Sequence, residues 1–141
     1  MIDIRIETDP VLDGFDDRKS VVILKHVLQS EDINSGDISI VFGNTKLLKE
    51  LKNRFFNINH TTDVIAFRIN EYQEENIEGE IYICLPVAKE NAEYFNESYE
   101  KEIARLIIHG GLHLIGYTDK TKVEQQKMQE LEDKYLRELE Y

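Results

Sequence analysis

Apolar and polar residues alternate from the second position onward. Ile2, Ile4 and Ile6 are separated by Asp3, Arg5 and Glu7, the two-residue period of a strand with one wet face. Asp9-Pro10 and Asp13-Gly14 break it. Behind Asp16-Asp17, Val21, Leu24, Val27 and Leu28 fall on one stripe and predict a helix from Arg18 to Gln29. Gly36 opens a second strand, Asp37 to Phe42. Gly43-Asn44 closes it, with Asn44 as N-cap of a helix from Thr45 to about Asn53. Val64 to Phe67 and Ile81 to Leu85 read as two buried strands on either side of an acidic loop, Glu71 to Glu78. Pro86 suits the first turn of a helix reaching about Phe95. Tyr99 to Ile115, capped by Ser98 or Asn96, carries Ile103, Leu106, Ile107, Gly110 and Leu114 on its apolar face, and Gly116 stops it. Thr121 to Tyr141 is a charged helix with Val123, Met128, Leu131, Tyr135 and Leu139 at helical spacing. The order βαβαββααα, with short links among the later strands, predicts an α+β fold: a single domain over 1–141, with a small mixed β-sheet packed by about five helices.

Composition narrows the class. With 141 residues, 41% hydrophobic and 32% charged, the chain can bury a core without disulfides. Its apolar runs are short, whereas a membrane span needs about twenty residues. Cys84 is the only cysteine. Together with an N-terminus unlike a signal peptide, it leads to an expected cytoplasmic location. A net charge of -11 opposes wrapping nucleic acid. The charge is uneven, however. Glu71 to Glu102 is strongly acidic, whereas Lys46, Lys49, Lys52 and Arg54 face only Glu50 in their stretch. That basic stripe is the natural surface for a polyanionic partner, although a solvated helix exterior explains lysines equally well.

The chemistry concentrates in His109-Gly110-Gly111-Leu112-His113-Leu114-Ile115-Gly116-Tyr117-Thr118-Asp119. On a helix, His109 and His113 stand one above the other, about 5–6 Å apart at Cβ. Two imidazoles so placed chelate one ion. After the turn at Gly116, Asp119 swings under the pair as third ligand, which leaves a position open for water, as in catalytic zinc sites. Bound zinc lowers the pKa of that water toward about 7. A pair of core histidines is the bland alternative. The metalloprotease pattern His-Glu-x-x-His is absent, because Gly110 stands where its base would be. Two mid-helix glycines cost about 1 kcal/mol each, so a strand or a substrate is expected to approach the helix there.

This segment resembles the metal-dependent endoribonucleases of the YbeY family, bacterial rRNA maturation factors with the pattern H-G-x-L-H-L-x-G-Y-D-H. His109, Gly110, Leu112, His113, Leu114, Gly116 and Tyr117 match in register. Thr62 to Phe67 is similar to the family's P-T-(N or D)-V-L-S-F strand, and Gly79 to Cys84 to its G-D-I-x-I-(C or S) strand. The resemblance implies a single-strand-specific endoribonuclease acting in small-subunit rRNA 3′-end maturation and ribosome quality control. Zinc would be held by His109, His113 and Asp119, with iron or manganese as alternatives. The implied partners are single-stranded RNA of the small-subunit rRNA precursor, ribosomal proteins and a ribosome-associated GTPase, with neither DNA nor membrane. A non-catalytic ribosome-assembly factor with a structural metal is the rival reading.

Two departures stand out. The family's third histidine falls on Asp119, which makes the site harder and more anionic. The family's phosphate-holding arginine falls on Phe56 and its neighbouring basic residue on Ile58. Arg54, Arg68 and Arg105 are the candidates to replace it. His26 reads as solvated, His60 as a loop residue that could approach substrate, and Cys84 as buried. Glu80 reads as either structural or near the metal.

Overall fold

The computed structural model describes residues 1–57 and 62–141. The elements are β1 (Ile2–Thr8), α1 (Asp17–Ser30), β2 (Gly36–Gly43), α2 (Thr45–Phe56), β3 (Val64–Arg68), β4 (Ile77–Cys84), α3 (Leu85–Tyr94), α4 (Tyr99–Ile115) and α5 (Lys122–Glu138). The strands form one sheet in the order β1-β2-β4-β3. β1, β2 and β4 run parallel, in a register that sets Ile4 beside Ile38 and Ile40 beside Ile81. β3 closes the edge antiparallel to β4. Among the described residues, the expected α+β class with a small mixed sheet and five helices is what forms.

The two faces of the sheet differ. Ile38, Ile40, Phe42, Ile77, Ile81 and Ile83 bury one face against α1 and α4, α5 packs on α4, and Leu24, Ile107 and Leu131 join them in the main core. The opposite face is covered in part by α2, where Leu48 is buried with Ile65 and Cys84. Over β1 and β2 that face stays wet, with Arg5 donating to Ser39 across the strands.

Local chemistry explains the boundaries. Asp16, Asn44 and Ser98 accept backbone N–H groups at the starts of α1, α2 and α4, and Thr121 and Glu124 form a reciprocal capping box on α5. Several sequence expectations shift. α2 continues to Phe56 and ends at a left-handed Asn57. The acidic loop ends earlier, because Ile77 is buried in β4. Val123 is exposed at the start of α5 and plays no part in its buried stripe; that stripe includes Glu132 instead. In α1, Ile23 rather than Val21 completes the buried face.

Candidate metal centre and its cleft

Helix α4 is the most buried helix, and it lies directly on the sheet and on α1. A Cβ added at Gly110 would stand 2.7 Å from the Ile81 side chain, and one at Gly111 would stand 2.8 Å from that of Leu24. The double glycine therefore serves close packing against β4 and α1, not substrate approach. The helix ends at Gly116, whose φ of 118° suits only glycine. The chain reverses there and brings Asp119 back beneath the last turn.

The result is convergence. The Nε2 atoms of His109 and His113 lie 3.0 Å apart. Asp119 Oδ2 lies 3.4 Å from the first and 3.5 Å from the second. Ligand atoms on a tetrahedral zinc, bonded at 2.0–2.1 Å, stand about 3.3 Å from one another. The three donors thus already have the spacing of a three-ligand zinc site.

The far side of each ring fixes its tautomer. His109 Nδ1 lies 2.7 Å from the Glu132 carboxylate, and His113 Nδ1 lies 2.9 Å from the Tyr117 carbonyl. Both partners only accept, so both Nδ1 atoms carry hydrogen and both Nε2 atoms can present lone pairs to a common point. Burial opposes charge on His109, but the hydrogen bond and charge of Glu132, reinforced by Asp119, outweigh it and raise its pKa. Burial and the neighbouring His109 lower that of His113.

Each anchor is itself held. Glu132 is buried on α5, with Arg105 3.4 Å away. Tyr117 donates its hydroxyl to Glu31 at the end of α1 over 2.6 Å. That bond, with burial, pushes the hydroxyl up to about 12. Tyr135 of α5 donates to the same Glu31 carboxylate. The turn carrying Asp119 is tied to α5 by Gln125, which donates to the Asp119 carbonyl over 3.0 Å.

Beside the ligand group opens a cleft of about 600 Å³ that His109 and Asp119 both line. Apart from them, half of its polar lining residues are acidic, Asp63, Glu97, Glu102 and Glu132, and three more are amides, Asn91, Gln125 and Gln129. Asn91 donates to both Asp63 and Glu102. Burial raises the Glu102 pKa in spite of Asn91 and Arg105.

The family model described as Endoribonuclease YbeY matches residues 12–140. An endoribonuclease YbeY of Salinibacter ruber is 34% identical over 121 residues, covering 81% of this chain and 77% of the relative. One from Chlorobium limicola is 38% identical over 110 residues, 78% and 75% of the two chains. The chain belongs to the endoribonuclease YbeY family. A solution structure of TM1509 from Thermotoga maritima has a similar fold, with a TM-score of 0.62 and 29% identity over 99% of this chain and 92% of that one.

The YbeY-type histidine motif thus lies on α4 and its turn, with Asp119 completing a potential metal-binding group. The arginine candidates lie in three different settings. Arg68 is on β3, and its guanidinium donates to Asn70 and to the carbonyls of Leu114, Glu71 and Glu74. It fastens the 69–76 loop to the end of α4. Arg105 lines the cleft but sits 3.1 Å from Asp133, 3.4 Å from Glu132, 3.8 Å from Glu102 and 3.9 Å from Glu97. Arg54 is exposed in the last turn of α2, the helix on the other face of the sheet. Phe56, at the position of the family's arginine, is 45% exposed and carries the Lys52 ammonium 4.7 Å over its ring. Ile58 and His60 lie outside the described residues.

Other expectations are corrected or sharpened here. Glu80 points to the face of β4 opposite Ile81, away from α4, where, after burial, its charge raises the Tyr82 pKa; this places it away from the metal group. His26 is not merely solvated: it lies 2.7 Å from Glu138 and edge-on to the Tyr135 ring. Cys84 is fully buried, as expected. The residue that sequence reasoning missed is Glu132. Its signal was a carboxylate four residues after Met128, on the buried stripe of α5, where an unpaired charge would be costly.

Proposed function

We propose that this protein is a metal-dependent endoribonuclease specific for single-stranded RNA. Its substrate would be the 3′ end of small-subunit rRNA precursors, with a part in ribosome quality control, in the cytoplasm. The observation that carries this reading is the convergence of His109 Nε2, His113 Nε2 and Asp119 Oδ2, with both Nδ1 atoms already engaged by acceptors. Zinc fits this donor set best; iron and manganese suit it less well. When bound, the metal would supply a Lewis acid for the phosphoryl oxygen and acidify a water.

The chain's own residues have definite tasks in this reading. His109, His113 and Asp119 would hold the ion, Glu132 and the Tyr117 carbonyl orient the two rings, and the open side of the group admits substrate from the cleft. Arg105 is the phosphate-facing candidate best placed by position. A phosphate would have to compete with Glu132 and Asp133 for it, so we assign it chiefly to holding Glu132 in place against His109. The open cleft beside the ligand group favours catalysis over a purely structural metal. Ribosomal proteins and a ribosome-associated GTPase are the expected partners by family resemblance.

The test is cleavage of a single-stranded RNA by the purified chain, with zinc, with chelator, and after zinc is restored. Cleavage that chelator stops and zinc restores is the expected result. Binding of RNA without cleavage under all three conditions would instead support the assembly-factor reading.

A further inference from the structure

The cleft combines features that a phosphate site would not. Its apolar surface comes from Val64, Leu106 and Met128, with Phe95 among the lining residues. Phe95 stands at the C-terminal end of α3, is 61% exposed, and lies edge-on to Tyr94 at 5.0 Å between centroids. The polar edge is made of carboxylates and amides, among them Asp63, Glu97, Gln125 and Gln129. The one cation among its described lining residues, Arg105, is already matched by acidic neighbours.

Such a surface repels phosphate but accepts hydrogen bonds from neutral N–H groups. A flat heterocycle with amino donors on its edge meets both demands: its face lies on aromatic and aliphatic carbon, and its edge donates to carboxylate. The volume of about 600 Å³ lies within the range of small-molecule sites. Because His109 and Asp119 line the same cleft, a nucleotide whose phosphate reaches the ligand group would lay its base there.

We propose that this cleft is a nucleobase pocket, in which Phe95 stacks on an unpaired base of the RNA and the acidic edge selects bases bearing exocyclic amino groups, guanine above all. The proposal rests on the endoribonuclease reading and deepens it. It supplies a physical reason for single-strand specificity, since a base inside a duplex cannot leave its stack at low cost to enter the slot.

The experiment is a titration of the isotope-labelled, metal-free full chain with guanosine, uridine and ribose, followed by NMR. Guanosine should give saturable shifts at Phe95, Glu97 and Gln129, uridine should bind more weakly, and ribose should give none. Phe95→Ala, a change at an exposed position that leaves the core intact, should weaken guanosine binding about tenfold, whereas Phe95→Tyr should retain it. No saturable shift in the cleft, or equal affinity in Phe95→Ala, would overturn the pocket. Uridine binding as tightly as guanosine would overturn the amino-group selection. Zinc-dependent cleavage of single-stranded RNA by the wild-type chain is scored separately. Its absence would sink the endoribonuclease reading without altering the nucleoside result.

Discussion

The metal group on α4 and the basic end of α2 lie on opposite faces of the sheet, and they are built in opposite ways. On α4 each functional atom is fixed from outside its own helix. Glu132 comes from α5, the Tyr117 carbonyl from the turn, and Glu31 from α1 holds Tyr117. On α2, Lys46, Lys49 and Arg54 are exposed, and only Leu48 is buried. The first arrangement is preorganised, so its chemistry depends on neighbours far away in sequence. The second is a charged surface whose effect is a sum over mobile cations and is screened by salt. A metal site needs directional lone pairs within tenths of an ångström; phosphate attraction over a surface does not.

Breaking the ligand set should give the largest effect. Asp119→Ala should lower zinc affinity by more than about a hundredfold in chelator competition, above the loss typical of outer-shell changes. Asp119→His should retain zinc or bind it more tightly. Equal retention in all three proteins would remove Asp119 from the site.

Glu132→Gln is the next step down. It keeps an acceptor near His109 but loses the charge, and zinc affinity should fall roughly 10–100-fold while the fold persists. An unchanged affinity would mean that the ring is held by α4 alone.

The same pair sets the pH response. Zinc binding requires neutral His109 and His113, so protons compete with it. His109 is raised and His113 lowered. As pH falls, affinity should therefore begin to drop about tenfold per unit already above the ordinary histidine pKa, and more steeply once His113 also protonates. In Glu132→Gln the first drop should move to lower pH. A profile identical to wild type would contradict the assigned cause of the His109 shift.

Gly116→Ala tests the turn between the two parts of the motif. With φ at 118°, alanine is strained, and the metal-free protein should lose about 1–3 kcal/mol in urea denaturation. Full stability would show that the turn relaxes.

The smallest effect belongs to the α2 surface. Replacing Lys49, Lys52 and Arg54 together with Ala should weaken single-stranded RNA binding and flatten its salt slope by about 0.7 per lost phosphate contact. Zinc content should not change. An unaltered slope would leave α2 as a solvated helix.

The linear sequence was enough for much of this molecule. Period and caps defined α4 as Tyr99–Ile115, with Gly116 at its end and either Ser98 or Asn96 at its start, of which Ser98 is the cap used, because capping and left-handed glycine act within a few residues. The i,i+4 histidines and the residue after the turn likewise pointed to the potential metal-binding group, since a helix fixes their spacing locally. Tertiary structure decided everything that depends on contact between distant segments. Gly110 and Gly111 became packing positions only when β4 and α1 arrived. Arg68 and Arg105 were candidate cations until loop carbonyls and acidic side chains closed around them. Glu132 became the partner of His109 only through the docking of α5. Hydrogen-bond directions and local charge are short-ranged in space, and space is what the linear order leaves open.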